Sequence, residues 1–156
     1  MVARSRPNIL LLCTGNSCRS QMAEGWAREL KGEALQALSA GVSPHGLDAR
    51  AVRVMAEAGV DISRQRPKHV GELLTMAFDW VVTVCDSARE SCPRFPGAAT
   101  RVVHRAFDDP PALARDARTE EEALAHYRRV RDEIRAFVET LPDALDALAA
   151  LEDETV

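Results

Sequence analysis

A short apolar run, a polar loop and a helical pattern follow one another at the start of the chain, and this unit restricts the possible folds more than any other feature. Residues 8–12 read Asn-Ile-Leu-Leu-Leu after a proline, which is typical of a buried strand. Residues 19–30 carry apolar side chains at helical spacing, at Met22, Trp26 and Leu30. A buried strand that leads through a short loop into an amphipathic helix predicts an α/β protein.

The rest of the chain continues to alternate between strand and helix patterns. Further strands are expected at residues 37–42, 79–85 and 101–107. A helix is expected at residues 48–58, with Asp48 as its N-cap and Gly59 as its stop, and a short helix is expected near Pro67. We therefore predict a three-layer sandwich with a central, mostly parallel four-stranded sheet flanked by helices.

The last long helix has the clearest pattern. It is expected to start after Thr119, which would form a capping box with Glu122, and to close at Pro142. Its apolar face is predicted to consist of Leu124, Tyr127, Val130, Ile134, Phe137, Val138 and Leu141. Residues 143–156 could continue as helix or fray, and we assign them no role.

Length and charge limit the class of protein. The 156 residues suggest a single domain over residues 1–156, and the formal net charge of −4, with scattered basic residues, does not favour a nucleic-acid partner. The apolar run after Pro7 is too short for a signal peptide, and no run approaches the ~20 apolar residues of a membrane helix. We expect a cytoplasmic protein and, without an extended apolar surface stripe, a monomer.

Residues 13–20, called the anion loop below, form a Cys-x5-Arg segment between the first strand and the first helix. A loop that enters a helix directs free backbone N–H groups toward its own centre. Gly15 permits unusual dihedrals that let these amides converge, and Arg19 offers a planar fork of donors that fits a tetrahedral oxyanion. We therefore predict an oxyanion site made of Thr14, Gly15, Asn16, Ser17, Cys18, Arg19 and Ser20.

Cys13 stands at the start of this loop, in surroundings expected to be electropositive. Such surroundings lower the pKa of a thiol, so we expect a nucleophilic thiolate, with Ser20 able to donate a hydrogen bond to it. The alternative is a buried, inert cysteine that ends a strand. The joint occurrence of strand, cysteine, glycine-containing loop, Arg-Ser and helix favours the nucleophile.

Two further cysteines, Cys85 and Cys92, follow the third predicted strand. Cys85 and Cys13 both stand at the carboxyl ends of strands, where ligands bind in parallel sheets. Structural disulfides are rare in the cytoplasm, and the Cys-x4-Cys and Cys-x6-Cys spacings suit structural zinc poorly. We therefore predict no metal site, while two unrelated cysteines remain the alternative.

Residues 13–27, Cys-Thr-Gly-Asn-Ser-Cys-Arg-Ser-Gln-Met-Ala-Glu-Gly-Trp-Ala, resemble the phosphate loop and first helix of the low-molecular-weight protein tyrosine phosphatase family. The resemblance is strongest to its branch of thioredoxin-coupled arsenate reductases. It extends over residues 8–140 and includes four more segments, at residues 39–41, 81–85 with 92–93, 107–110 and 129–134.

The resemblance implies reduction of arsenate to arsenite by three thiols, without a bound cofactor. Cys13 would attack arsenic, Cys85 would then attack Cys13 and release arsenite, and Cys92 would attack Cys85. Thioredoxin would reduce the final Cys85–Cys92 disulfide, and phosphate or sulfate would compete for the loop. Cys18 does not correspond to a relay thiol and is expected to form the loop wall.

The relay sets a geometric condition on the segment between Cys85 and Cys92. In continuous helix their Cα atoms would lie ~10 Å apart, whereas a disulfide needs ~7 Å or less. We therefore predict a mobile segment at residues 86–96 that loops or unwinds on oxidation, with Pro93 and Pro96 discouraging helix.

The resemblance also implies a general acid and a cation position. The aspartate directly before proline in Phe107-Asp108-Asp109-Pro110 corresponds to the acid, which is Asp109, while a surface turn is the alternative. Relatives that bind potassium do so beside the loop; Asn16, Glu24 and Ser39 match three ligand positions, but Arg66 and Lys68 occupy the other two. We predict no potassium site, with the Lys68 ammonium near Glu24.

Two other functions remain open. A low-molecular-weight phosphatase would hydrolyse phosphoesters through a phosphocysteine and would not need Cys85 or Cys92. A non-catalytic module would bind an oxyanion or report oxidation through a disulfide.

Overall fold

The computed structural model describes residues 6–90, 92–93, 95 and 100–154. Within them, four strands form one sheet in the order β2-β1-β3-β4, and all three strand pairs are parallel. The strands are β1 (Asn8–Cys13), β2 (Gln36–Gly41), β3 (Trp80–Thr83) and β4 (Arg101–His104). The predicted α/β class with a four-stranded parallel sheet is therefore confirmed.

Helices flank this sheet. The helices are α1 (Arg19–Lys31), α2 (Ala49–Glu57), α3 (Asp86–Glu90), α4 (Pro110–Ala114), α5 (Glu120–Glu139) and α6 (Ala144–Glu154), with a 3-10 turn at Val70–Leu73. α1 packs against β1, β2 and α5, and α6 packs against β4. Among the helices that the structure describes, none is long and apolar enough to cross a membrane.

The centre of the core is β1, which has a neighbouring strand on each side. Ile9, Leu10, Leu11 and Leu12 are fully buried, as expected where helices cover a parallel sheet. The apolar face predicted for the last long helix is also buried, which confirms the seven residues from Leu124 to Leu141. Cys13 therefore ends a rigid central strand.

The helix caps agree with the sequence with one exception. Asp48 caps α2 by accepting from Arg50 N and Ala51 N, and Gly59 after this helix has a φ of 86°. Thr119 accepts from Glu122 N at the start of α5. The other bond of the predicted capping box, from Thr119 N to the Glu122 carboxylate, was wrong, because this carboxylate accepts from Arg118 N instead.

Several element bounds differ from the predicted ones. β3 and β4 are shorter than expected. Beyond the end of β4, Arg105 N still donates to the Thr83 carbonyl and Phe107 N to the Val84 carbonyl. The helix expected near Pro67 begins only at Val70, because the His69 side chain caps it there by accepting from Gly71 N. α3 and α4 were not predicted, and the tail is helical at Ala144–Glu154.

Candidate active site

A cavity of about 270 Å³ opens where β1 ends, as expected for a parallel sheet. The anion loop forms its floor through Cys13, Thr14, Gly15, Ser17, Cys18 and Arg19. Its rim comes from distant segments, at His45, Asp109, Pro111 and Arg115. The structure thus brings the predicted loop and the predicted acid into one cavity.

The carbonyl groups of the anion loop are held on its outer side. Four of them accept hydrogen bonds from N–H groups of residues 42–48, which run along the loop. The pairs are Cys13–Val42, Thr14–Ser43, Gly15–His45 and Ser17–Asp48, with N···O distances of 3.3, 2.8, 2.8 and 2.9 Å. A loop whose carbonyl oxygens point outward turns its N–H groups toward the cavity, which is the arrangement that binds an anion.

Asn16 braces the loop from behind. Its Oδ1 accepts from Lys68 N at 2.9 Å, its Nδ2 donates to Ser20 Oγ at 2.8 Å, and its carbonyl accepts from Gln21 Nε2 at 2.9 Å. These bonds tie the loop to the Lys68 backbone and to the start of α1. The Ser20 hydroxyl oxygen accepts this bond and keeps its own hydrogen, so donation from Ser20 to a Cys13 thiolate stays a prediction. Asn16 and Ser20 are fully buried and do not line the cavity.

The unusual dihedral of the loop belongs to Asn16, whose φ is 48°, and not to Gly15 as predicted. Asparagine tolerates this region better than most residues. At Gly15 the constraint is steric, since a Cβ there would lie 2.7 Å from His45 Cδ2 and the exposed His45 side chain would have to shift. Gly41, at the end of β2, has a similar role that the sequence analysis missed. A Cβ at Gly41 would lie 2.6 Å from the Thr14 carbonyl oxygen.

Cys85 is packed beneath the loop. Its Sγ lies 3.2 Å from Thr14 Oγ1, and both Cys13 and Cys85 are buried. The Cys13 thiol donates a hydrogen bond to the Cys85 sulfur, which lowers the pKa of Cys85. Thr14, the Ala88 N–H and Arg19 lower it further against the effect of burial.

The pKa of Cys13 is raised, which contradicts the sequence-based expectation. The hydrogen bond to Cys85 is the main cause and burial the second, and they outweigh Arg19 and the Gly15 N–H, which lower this pKa. The raised pKa of Cys13 and the lowered pKa of Cys85 have the same main cause, which is the hydrogen bond between the two sulfurs. The expectation failed because it did not include a second thiol.

Cys92 is not brought to the cavity. It is half-buried in a separate groove lined by Pro93, Phe95, Thr100 and Val102, and burial raises its pKa. Cys13, Cys18, Cys85 and Cys92 are all free thiols. Part of the segment predicted to be mobile, at residues 91, 94 and 96, lies outside the described residues. Its described start is helical, as α3.

Arg19 and Asp109 meet at the cavity. Arg19 Nη1 donates to the Phe107 carbonyl at 2.9 Å, and Arg19 Nη2 lies 3.7 Å from Asp109 Oδ1. Asp109 precedes Pro110 at the start of α4 and keeps 43% of its side chain exposed, so solvent can supply its proton. The Asp108 carboxylate instead accepts a hydrogen bond from Arg129, with 3.0 Å between Oδ2 and Nη2. The geometry therefore selects Asp109 as the carboxyl that can reach a bound oxyanion.

A buried ion pair supports the loop from the side of α1 and β2. Glu24 accepts from Ser39 N at 2.7 Å and Ser39 Oγ at 3.0 Å, and it also pairs with Arg28. Lys68 Nζ lies 3.7 Å from Glu24 Oε1, which confirms the expected position of this ammonium. Burial lowers the pKa of Lys68, and Glu24 opposes this shift.

Comparison with known proteins agrees with this geometry. The family model described as low molecular weight phosphotyrosine protein phosphatase matches residues 8–152. The chain is 47% identical over 136 residues to an arsenate reductase of Bacillus subtilis (strain 168), and the match covers 85% of this chain and 95% of the relative.

Two solved structures share the fold. An arsenate reductase in the phosphate-binding state superposes with a TM-score of 0.69 at 26% identity, over 86% of this chain and 95% of the other. A low-molecular-weight protein tyrosine phosphatase from T. tengcongensis superposes with a TM-score of 0.68 at 27% identity, over 88% of this chain and 98% of the other. The overall fold therefore does not separate a reductase from a phosphatase.

Proposed function

The chain belongs to the low-molecular-weight phosphotyrosine protein phosphatase family, and we propose that it reduces arsenate to arsenite through the thiols of Cys13, Cys85 and Cys92, with thioredoxin as the electron donor. The observation that carries the proposal is the buried Cys85 thiol, hydrogen-bonded to Cys13 and to Thr14. Hydrolysis of a phosphocysteine needs only water, whereas a reduction needs a second thiol that can attack the first.

The first step is attack of Cys13 on arsenic. Proton transfer along the Cys13–Cys85 hydrogen bond makes Cys13 the thiolate, and the anion loop holds the arsenate oxygens. The Sγ–As bond forms as an As–O bond breaks, and Asp109 gives its proton to the oxygen that leaves as water. Arg19 neutralises charge on the remaining oxygens.

The second step is the reduction itself. Cys85 returns its proton to solvent and attacks the Cys13 sulfur as a thiolate, which its lowered pKa favours. The Cys13–Cys85 disulfide forms as the Sγ–As bond breaks. That electron pair stays on arsenic, so As(V) becomes As(III) and leaves as arsenite.

The third step restores the loop. The Cys92 thiolate attacks the Cys85 sulfur, and Cys13 leaves as a thiolate, which Arg19 and the Gly15 N–H stabilise. The resulting Cys85–Cys92 disulfide accepts two electrons from the dithiol of thioredoxin. Because Cys92 lies in a separate groove, α3 or the segment that carries Cys92 must move before this exchange can occur.

Phosphoester hydrolysis is the second candidate. The loop and Asp109 suit phosphate as well as arsenate, since both are tetrahedral oxyanions, and the family includes phosphatases. The rim, however, consists of His45, Asp109, Pro111 and Arg115, and no Phe, Tyr or Trp among the described residues lines the cavity to hold an aromatic phosphoester. We therefore expect weak phosphatase activity beside the reduction.

The test is consumption of NADPH in the presence of thioredoxin, thioredoxin reductase and arsenate. The proposal expects consumption that requires arsenate and is lost in Cys13→Ser. Phosphate and sulfate should inhibit it competitively. Hydrolysis of p-nitrophenyl phosphate at high turnover, without arsenate-dependent NADPH consumption, would establish the phosphatase instead.

A further inference from the structure

A histidine from the neighbouring strand holds the first side chain of α3. His104 Nε2 lies 2.9 Å from Asp86 Oδ1, and His104 Nδ1 lies 2.7 Å from Thr83 Oγ1. Because a carboxylate only accepts, Nε2 carries the hydrogen of the bond to Asp86. The Thr83 hydroxyl can donate to or accept from Nδ1, so the ring is bonded at both nitrogens in either protonation state.

The two ends of this hydrogen-bond chain differ in burial. Thr83 is fully buried in β3, whereas the side chains of His104 and Asp86 are 12% and 84% exposed. Thr83 and His104 are also register partners between β3 and β4. The imidazole is therefore fixed from the sheet side, and pairing with Asp86 costs less side-chain entropy than at a fully exposed ion pair.

Asp86 directly follows Cys85, so a contact that fixes Asp86 also limits the movement of the Cys85 sulfur. In the dithiol form this sulfur accepts from the Ala88 N–H and contacts Thr14, and the Cys85 carbonyl accepts from Arg89 N. Cys92 lies in a different groove, so a bond between the two sulfurs requires movement of the start of α3, of the segment that carries Cys92, or of both. Movement of α3 would take the Cys85 sulfur away from its present partners.

We propose that His104 is a positioning residue for the relay: through Asp86 it holds Cys85 beside Cys13, and this contact is released when Cys85 joins Cys92. The inference rests on the proposed three-thiol relay. The segment of residues 104–109 also carries Phe107, whose carbonyl holds Arg19, and Asp109. His104 thus connects the start of α3 to the segment that completes the oxyanion site.

A contact that exists in the dithiol form and is lost in the disulfide form stabilises the dithiol. Its removal should shift the Cys85–Cys92 equilibrium toward the disulfide by about two- to fivefold, as expected for one partly exposed hydrogen bond. At about 30 mV per tenfold change, the reduction potential becomes more negative by about 10 to 20 mV.

The experiment equilibrates the full chain in glutathione redox buffers, traps free thiols by alkylation and quantifies the Cys85–Cys92 disulfide by mass spectrometry. The variants are His104→Leu, Asp86→Ala and the double variant. Asp86→Ala guards against misfolding, since that side chain is mostly exposed. Asp146→Asn is the matched control, because it removes another surface ion pair of β4, Arg101–Asp146 at 3.5 Å.

Support requires a shift toward the disulfide in both single variants, no further shift when His104→Leu is added to Asp86→Ala, and no shift in the control. The KM for arsenate should stay unchanged in His104→Leu, because His104 does not line the cavity. The role of His104 would be overturned if His104→Leu shifted the disulfide equilibrium equally in the wild-type chain and in Asp86→Ala. It would also be overturned if His104→Leu caused no shift. Failure of the wild-type chain to form the Cys85–Cys92 disulfide would instead remove the relay itself and this inference with it.

Discussion

The hydroxyl oxygen of Thr14 lies 3.2 Å from the sulfur of Cys85, although the two residues are 71 positions apart in the chain. Thr14 follows β1 and Cys85 follows β3, and these strands are neighbours in the sheet. Parallel pairing places both strand ends at the same edge. The anion loop and Cys85, the second relay thiol, are therefore one structural unit.

Replacement of Thr14 by valine should raise the pKa of Cys85, because a hydrogen bond that favours the thiolate is lost. A bond of about 1 kcal/mol corresponds to about 0.7 pH unit. The rate of Cys13–Cys85 disulfide formation rises with pH as the Cys85 thiolate forms. In the valine variant, this rise in the pH–rate profile should therefore occur about 0.7 pH unit higher. Rapid-quench measurements across pH can show it. Thr14→Ser keeps the hydroxyl and should keep the profile; identical profiles for valine and threonine would contradict the role of the hydroxyl.

The shared proton of Cys13 and Cys85 should be visible in a thiolate titration followed by ultraviolet absorbance. Because the pKa of Cys85 is lowered, one thiolate should form well below pH 8.5, the region in which an ordinary cysteine ionises. Cys13→Ala removes the largest stabilising contact and should move this midpoint to higher pH. Cys92→Ala should leave it in place, since burial raises the pKa of Cys92. An unchanged midpoint in Cys13→Ala would show that the sulfurs do not share the charge.

Asp109→Asn should slow the first release of arsenite about a hundredfold, since it removes the proton donor for a poor leaving group. Asp108→Asn is the matched control, because Asp108 pairs with Arg129 away from the cavity, and it should change the rate about twofold or less. Single-turnover measurement of arsenite gives both values. Equal losses in the two variants would contradict the assignment of the acid.

Lys68→Met leaves the buried Glu24 carboxylate with one cation fewer and should lower the free energy of unfolding by about 1–3 kcal/mol. Potassium should restore part of this stability by occupying the place of the ammonium, while wild-type initial rates should not respond to potassium at fixed ionic strength. Denaturant unfolding in potassium and sodium salts provides the measurement. Arg66→Met is the control, because its pair with Glu72 is exposed. Wild-type rates that rise steeply with potassium would contradict this account.

The sequence predicted those parts of the site that depend on local order along the chain. Cys13, Gly15 and Arg19 occur within seven residues between a strand and a helix, so their meeting at one cavity follows from a single βα unit. The position of Asp109 before Pro110 similarly places this carboxyl at the start of α4.

The sequence could not predict features that arise from contacts between distant segments. The lowered pKa of Cys85 depends on hydrogen bonds with Cys13 and Thr14, which the sheet brings together only after folding. Gly41 carries a weak signal, a glycine at a strand end, but its need becomes clear only from the close approach of Thr14. The pairing of His104 with Asp86 likewise depends on the register of β3 and β4.

The most direct test of the relay counts the arsenite that Cys92→Ser releases per chain from excess arsenate with thioredoxin and its reductase present. The wild-type chain is the control and should turn over many times, because its Cys92 can release Cys13 from the disulfide. The relay predicts one arsenite per chain in Cys92→Ser, followed by arrest with Cys13 and Cys85 joined in a disulfide. Sustained release of many arsenite molecules per chain would contradict it.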